Sequence, residues 1–279
     1  MIHTTRAAER ILDCPPGPFL RSRSLEFGLS DDAVEWLVQR GVLVQPVYGV
    51  LRRALGPDSL EARAAAAGLV LPAGAAFCRT TSAWLFGIDA RPPGGHRTIP
   101  PVECVVPLGR TPIRRPGLRC YVADLRSDEV IERNGLPCTS PSRTSLDLAR
   151  WSVSGTGLGA LDAMARAGLI DPAELLELLE RWRGCRFVDR ARSLITWCDP
   201  LAESFGESCL RLRFLDAGFP KPQLQIPLAD RDGILVYQLD LGYEGPRLSW
   251  EYDGEEYHLG AQAEAADRRR RAEIERRWG

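Results

Sequence analysis

The C-terminal part of the chain alternates between short apolar segments and turns, which restricts it to a small sheet between two helices. The predicted order is helix, three strands and helix, over residues 203–217, 224–228, 234–241, 247–252 and 261–277. Asp230 to Gly233 has the composition of a hairpin turn between the first two strands. The last strand ends at a second Asp-Gly pair, Asp253-Gly254.

The first sixty residues predict a helix followed by a hairpin. Ser30 is a natural N-cap, helical spacing continues to Arg40, and Gly41 ends the helix. The segment VLVQPVYGVLRR then predicts two short strands interrupted by Pro46 and Gly49. A helix followed by a two-stranded wing is typical of a winged helix-turn-helix.

The region between residues 65 and 200 mixes strands and helices. A helix is expected from Ser82, strands at 102–108 and 118–125, and helices within 140–151 and 158–182. Asp171 and Pro172 have the residue types of an N-cap and a first helical position. We therefore predict an α/β protein of mixed α+β type with three domains, at residues 1–60, 65–200 and 201–279.

Composition argues against several classes of protein. No apolar run reaches eighteen residues, and the N-terminal segment lacks the apolar core of a signal peptide. The net charge of −1 is not that of a bulk polyanion binder. The eight cysteines form no CxxC pair, which argues against a zinc ribbon and predicts buried thiols. A cytoplasmic protein with no membrane partner is expected.

Acidic residues gather where the predicted C-terminal strands end. Because side chains alternate along a strand, Glu251 shares a face with Ser249, and Asp253 joins them if the strand continues. Asp240 closes the preceding strand and would lie near Glu251 if the two strands pair, and Glu207 in the preceding helix could complete the group. The pattern predicts either a metal site or a solvated strand end beside a hairpin turn.

Such a group of carboxylates suits hydrolysis of a phosphodiester. Carboxylate oxygens are the ligands that Mg²⁺ or Mn²⁺ prefers, and such a cation can activate water and offset charge on the phosphate. His258 could act as general acid or base, and Arg270 and Arg271 could bind a nucleic-acid backbone. The arginines from Arg268 to Arg271 fit an ordinary solvated helix face equally well.

The sequence from ESCLRLRF through RLSWEYDGEEYH to the last helix resembles the very-short-patch-repair (Vsr)-like PD-(D/E)XK endonucleases. The resemblance covers residues 203–278, and the positions that match the family pattern are Glu207, Asp240, Glu251, Asp253, His258, Gln262, Asp267 and Arg270. It implies a restriction-endonuclease-like mixed sheet flanked by helices and Mg²⁺-dependent DNA cleavage.

The same resemblance implies a role for each matching residue. The implied metal ligands are Asp240, Glu251 and Asp253, the assisting catalytic residues are Glu207 and His258, and the DNA contacts are Gln262, Arg268, Arg270 and Arg271. Asp253 stands where the wider superfamily has lysine, a departure that the Vsr-like branch shares. The family pattern also continues past the position of Gly279, so either a truncated domain or an incomplete sequence is expected.

The N-terminal and middle regions, with TSAWLFGID and SRTSLDLA, resemble the AbiEi-type antitoxin of type IV toxin–antitoxin systems. This resemblance implies winged-helix DNA binding, transcriptional autoregulation and a cognate toxin protein as a partner. The predicted recognition helix carries three acidic residues that phosphates disfavour, Asp31, Asp32 and Glu35. The DNA contacts expected in this region are therefore Arg40, Arg52 and Arg53.

Three hypotheses follow. The first is a metal-dependent DNA endonuclease with a winged-helix, antitoxin-like N-terminal region, which metal-dependent cleavage would distinguish. The alternative is a DNA-binding transcriptional repressor or antitoxin with a catalytically degenerate nuclease-like module. DNA binding that survives loss of Asp240 and Glu251 would distinguish it. A purely structural α/β protein is the third, and it would bind no nucleic acid.

Overall fold

A computed structural model describes residues 10–55, 58–91, 99–252 and 261–278, with the backbone alone for residues 261–267. The chain separates into two compact units, Met1–Thr144 and Ser145–Gly279. Helices and sheets occur in both units, which confirms the predicted mixed α/β class. The three-domain division with boundaries near residues 60 and 200 stays a prediction.

The first unit begins with a helix pair and a hairpin. Strand β1 (Phe19–Leu20) and a 3₁₀ helix at Arg21–Phe27 precede α1 (Asp31–Gln39), which is followed by β2 (Leu43–Val47) and β3 (Val50–Arg53). The sheet order is β1-β3-β2, with antiparallel pairing throughout. This is the arrangement predicted for a winged helix-turn-helix.

Two sequence signals set the limits and the packing of α1. The Ser30 side chain accepts the backbone N–H of Ala33, and Gly41 follows the helix with a φ of 67°. Apolar side chains spaced along the helix and hairpin form a buried core, made of Phe19, Leu29, Val34, Leu37, Leu43 and Leu51. The capping residues and helical spacing of the sequence therefore predicted the helix, and the structure identifies its buried residues as Val34 and Leu37.

The rest of the first unit is a mixed five-stranded sheet with two helices. Its strands are β4 (Ala76–Phe77), β5 (Val102–Pro107), β6 (Leu118–Ala123), β7 (Val130–Arg133) and β8 (Leu136–Thr139), in the order β6-β5-β4-β8-β7. Helices α2 (Leu60–Gly68) and α3 (Arg79–Leu85) pack in the core of this sheet. The sequence predicted β5 and β6, whereas α3 begins three residues before the expected Ser82.

Strands β7 and β8 form a hairpin that the sequence reading missed. Asn134 and Gly135 connect them with φ values of 52° and 74°, the left-handed conformations of a two-residue hairpin turn. The Asn-Gly pair was the available signal. It was overlooked because the flanking residues of β7, VIER, are mostly exposed and lack strong apolar alternation.

The second unit opens with a helical core. Its helices are α4 (Pro141–Trp151, which starts in the first unit), α5 (Ser154–Arg166), α6 (Pro172–Leu179), α7 (Val188–Trp197) and α8 (Phe205–Asp216). Asp171 caps α6 by accepting the N–H of Ala173, as the sequence predicted. Leu212 of α8 is buried in one cluster with Leu158 and Leu194, so helices on both sides of residue 200 share a core.

The C-terminal sheet follows this helical core. Strands β9 (Gln223–Ala229), β10 (Leu235–Tyr243) and β11 (Leu248–Trp250) pair antiparallel in the order β11-β10-β9. Helix α9 (Ala261–Trp278) comes last. The predicted order of helix, three strands and helix is confirmed, and Leu224 and Leu241 are buried with Phe214 of α8 packed against them.

The sequence also led to predictions about the cysteines and about membrane-spanning segments. All eight cysteines are free thiols; five are buried, Cys120 and Cys209 are half-buried, and Cys185 is exposed. Most of these thiols are therefore buried, as predicted, but Cys185 is not. Among the described residues, no helix is both long enough and apolar enough to cross a membrane.

Candidate functional site

The pairing of β10 with β11 brings two of the predicted carboxylates to one sheet edge. Leu241 is paired with Trp250, so Asp240 and Glu251 follow as the next positions on the two strands. Asp240 accepts the backbone N–H of Tyr252 through Oδ2 at 2.8 Å. The backbone positions of Asp240 and Glu251 are therefore adjacent, as strand alternation predicted.

Glu207 lies close to this edge and is buried. Its Oε2 accepts the backbone N–H of Glu203 at 3.0 Å and the side-chain amide of Gln225 at 3.1 Å. Burial raises the pKa of the Glu207 carboxyl, hydrogen bonds from the Glu203 backbone and the Ser204 side chain oppose the shift, and the negative charge of Asp240 adds to it. Leu224 and Ile226 of β9 pair with Leu241 and Leu239 of β10, so Gln225, the partner of Glu207, lies opposite Asp240.

Arg270, which the sequence predicted to contact DNA, has partners within the protein. Its guanidinium lies 2.7 Å from a carboxylate oxygen of Glu251 and also donates to the backbone oxygen of Gln238 at 3.1 Å. An arginine that neutralises a carboxylate and holds α9 on β10 has less capacity for a DNA phosphate. The sequence could not reveal this, because Glu251 and Arg270 are nineteen residues apart.

These contacts do not assemble a metal site. Glu251 is paired with Arg270, and both Glu207 and Asp240 accept protein hydrogen bonds. Across the described part of the chain, no group of three or more His, Cys, Asp or Glu side chains is arranged to hold a metal ion. The described residues therefore do not fit Mg²⁺ or Mn²⁺ in this arrangement.

Several predicted residues are beyond what the structure describes. Asp253 and His258 lie outside the described residues, and the side chains of Gln262 and Asp267 do as well. Arg268 and Arg271 are exposed on α9. Their assignments as ligand, acid–base residue and DNA contacts stay predictions.

The predicted recognition helix α1 has an acidic surface. Arg21 is 2.8 Å from Glu35 and 3.6 Å from Asp31. A cleft of about 640 Å³ beside the helix is lined by Arg21, Asp31, Asp32, Glu35, Gln45 and Tyr48. Three carboxylates against one guanidinium make this cleft unfavourable for a phosphate backbone.

The arginines predicted to contact DNA have different surroundings. Arg40 follows α1 and stacks on Trp36 at 5.0 Å, where it is exposed. Arg52 is buried and donates to the backbone oxygen of Arg53 and to Asp58. Arg53 donates to the backbone oxygens of Leu12 and Cys14. Arg52 and Arg53 thus serve internal packing, a role that their strand positions alone did not indicate.

A loop at residues 109–117 braces the tip of the β2–β3 hairpin. Arg115 donates to the backbone oxygen of Tyr48 at 2.6 Å, and the N–H of Tyr48 donates to the backbone oxygen of Pro116 at 3.1 Å. Gly117 has a φ of 89°, and a Cβ there would lie 2.4 Å from the backbone oxygen of Pro46. The contact is therefore close enough to demand glycine.

This braced wing carries basic and aromatic side chains that the sequence reading missed. Arg114 is exposed beside Arg115, and Tyr48 at the wing tip is 64% exposed. The only sequence signal was a pair of arginines between prolines, TPIRRP, in a segment read as a connection between strands. Their nearness to the wing depends on long-range contacts.

The two motifs that carry the antitoxin resemblance meet in the first unit. Ser82 donates to the backbone oxygen of Thr139 at 2.9 Å, and the Thr144 hydroxyl is 3.0 Å from the Ser82 hydroxyl. Arg143 is buried and pairs with Glu129 at 2.6 Å. These contacts lie within the first unit, so Ser82, Arg143 and Thr144 have structural roles in this fold.

Comparison with known proteins supports the antitoxin resemblance of this part of the chain. Residues 75–197 match the AbiEi antitoxin C-terminal domain. The chain is also 31% identical over 239 residues to "Uncharacterized protein MT2308" and to "Uncharacterized protein Rv2248", from two strains of Mycobacterium tuberculosis. Each alignment covers 85% of this chain and 83% of the relative.

Proposed function

We propose that this chain, which belongs to the same protein family as the two mycobacterial relatives, is a DNA-binding transcriptional repressor of the antitoxin type. The match of residues 75–197 to an antitoxin domain supports the toxin–antitoxin assignment. A cognate toxin is the proposed protein partner, and the cytoplasm, where the eight free thiols would persist, is the proposed compartment.

The observation that carries the proposal is the braced wing. A winged helix binds DNA through the groove-facing helix, the wing or both. Here the acidic surface of α1 opposes close approach of phosphates, whereas Arg114, Arg115 and Tyr48 lie together at the wing. The wing and its bracing loop are therefore the proposed phosphate-binding surface.

Substitution of Arg114 and of the bracing Arg115 tests the proposal directly. We expect Arg114→Ala/Arg115→Ala to weaken duplex binding about tenfold and to lower the slope of log K against log salt by about two. The measurement is fluorescence anisotropy with labelled duplexes from the region upstream of the gene, against an unrelated duplex. Arg23→Ala, which removes an exposed arginine paired with Glu26, is the control.

A pair of glycine variants separates loop position from charge. Gly117→Ala should weaken binding because its Cβ meets Pro46, whereas Gly109→Ala shares a positive φ of 85° but has no atom within 4 Å. Duplex binding that is equal in wild type and in the double arginine variant would refute the wing as the contact surface. Absence of duplex binding by the folded wild type would refute the repressor.

Metal-dependent DNA cleavage at the C-terminal carboxylates is a second proposal. It is supported by the adjacent positions of Asp240 and Glu251 and by the burial of Glu207 near them. It requires that Glu251 leave Arg270, and that residues outside the described part of the chain complete the ligand set. The proposal therefore has weaker support than the repressor.

Calorimetry with Mg²⁺ and Mn²⁺ tests this second proposal. Wild type should bind a divalent cation, and the double variant Asp240→Ala/Glu251→Ala should lose that binding, because each substitution removes a carboxylate ligand. Asp230→Ala, in the β9–β10 turn, is the control for loss of an acidic residue. No binding by the folded wild type would rule out the cation-dependent nuclease.

A further inference from the structure

A surface cluster in the second unit combines arginine and aromatic side chains. We call it the aromatic–arginine patch, and its members are Arg150, Trp151, Trp182, Arg186, Phe187 and Arg190. The rings of Trp151 and Phe187 meet edge to face at 5.3 Å between centroids. Arg150 lies 4.7 Å from the Trp182 ring, so charged and aromatic groups alternate across the surface.

The patch holds its arginines in fixed positions. Arg150 donates to the backbone oxygen of Arg186 at 3.0 Å, and Arg190 donates to the backbone oxygen of Arg150. The guanidinium groups of Arg186 and Arg190 lie 4.5 and 5.0 Å from the Phe187 ring. Ordered guanidinium planes beside exposed rings form a preorganised surface for a planar or anionic ligand.

The local charge favours an anion. Residues 180–192 contain five arginines and two acidic residues. Glu180 is paired with Arg183 and Arg192, whereas Arg186 is exposed and, within the described ranges, has no carboxylate partner. A phosphate near Arg186 would therefore meet an excess of positive charge.

Phe187 is held in a strained conformation. It has a φ of 63° and a ψ of 16°, the left-handed region, and it precedes α7 without a side-chain cap. Phe187 is 38% exposed and Trp151 is 39% exposed. Glycine would satisfy this backbone without strain, so the large, partly exposed ring is retained against a backbone cost.

We propose that the aromatic–arginine patch binds single-stranded nucleic acid, an activity beyond the duplex binding proposed above. Unstacked bases lie on aromatic rings or on guanidinium planes, and arginines contact the phosphates between them. Base pairs in a duplex keep their faces covered, so a duplex would use the arginines alone. An acidic peptide would match the charge but would leave the planar surfaces without stacking partners.

Binding of homopolymers tests the patch. The probes are labelled single strands of deoxythymidine and of uridine, with a duplex and polyglutamate as comparison ligands, measured by fluorescence anisotropy. Wild type should bind the single strands, and Arg186→Ala and Phe187→Gly should each weaken binding about tenfold. Arg183→Ala, whose side chain is 82% exposed and paired with Glu180, should bind as wild type. DNA and RNA affinities identify which polymer is preferred.

The choice of glycine separates a ligand role from a structural one. Phe187→Gly removes the ring and also relieves the left-handed strain of the backbone. We therefore expect a large loss of affinity for single strands without a correspondingly large fall in the thermal unfolding midpoint. Phe187→Leu keeps the strain and the bulk but removes the aromatic face, and it should lose affinity too. Unchanged affinity in Arg186→Ala and Phe187→Gly, or binding of polyglutamate in place of the single strands, would overturn the proposal. Duplex binding by the wing is unaffected in either case.

Discussion

Replacement of Arg211 by methionine is expected to lower the free energy of unfolding by about 3–5 kcal/mol. Arg211 is fully buried and pairs with Asp162, which is 1% exposed. Asp162 also accepts from the Ser208 hydroxyl at 2.6 Å and from the N–H of Asp199 at 2.8 Å. Loss of the guanidinium leaves a buried carboxylate without its counter-charge, which is the reason for the large effect.

The matched control is Arg183→Met, the same substitution in an exposed ion pair. Arg183 pairs with Glu180 at 2.5 Å on the surface, where solvent screening leaves an ion pair little effect on stability. Asp162→Leu/Arg211→Met removes both buried charges and should recover part of the lost stability. Urea unfolding of the three variants measures these differences, and equal losses for Arg211→Met and Arg183→Met would contradict the account.

The Arg211→Met deficit should also depend on pH. Burial raises the pKa of the Asp162 carboxyl, and Arg211 opposes that shift, so its removal should raise the pKa further. A carboxyl with a raised pKa in the fold is neutral below that pKa and is destabilising when charged above it. The deficit relative to wild type should therefore shrink as pH falls.

The second large effect is expected from Gly242→Ala in β10. Gly242 is paired with Ser249 of β11, and a Cβ at Gly242 would lie 2.4 Å from the backbone oxygen of Leu248. Because that atom is backbone, the strands must separate, and we expect a loss of about 1–3 kcal/mol. The hydrogen bond from the Tyr252 N–H to Asp240 should weaken with the pairing.

Gly245→Ala is the control, because no atom of the described residues lies within 4 Å of a Cβ at that position. Chemical unfolding gives the stability difference, and hydrogen exchange at the Tyr252 amide reports the strand pairing. Faster exchange is expected in Gly242→Ala alone. Equal exchange and equal stability in both variants would show that β10 and β11 are less closely packed than their register implies.

Local signals in the sequence were sufficient to predict where several helices and turns occur. Ser30 and Asp171 mark helix starts through short-range hydrogen bonds to the next turn, and these bonds depend on neighbouring residues alone. The Asn134-Gly135 turn was equally local and could have been found. By contrast, the left-handed conformation of Phe187 at the start of α7 has no local preference behind it.

In the candidate sites, too, some features could be predicted from the sequence and others could not. The nearness of Asp240 and Glu251 followed from strand alternation and a short turn, because register in a hairpin is set by neighbouring residues. The pairing of Glu251 with Arg270, the internal use of Arg52 and Arg53, and the bracing of the wing by Arg115 were not predictable. Each depends on which distant side chain can reach a given oxygen.

The sequence by itself therefore determined the helix–hairpin start, the helix–sheet–helix end and the acidic character of α1, because these follow from periodicity, capping and composition. Tertiary structure alone decided which arginines face outward and which neutralise buried or half-buried acids. The physical reason is that a guanidinium lowers its free energy at whichever carboxylate or carbonyl the fold places within reach. That placement separates the exposed Arg114 and Arg186 from arginines such as Arg52, Arg53 and Arg211, which hold the protein together.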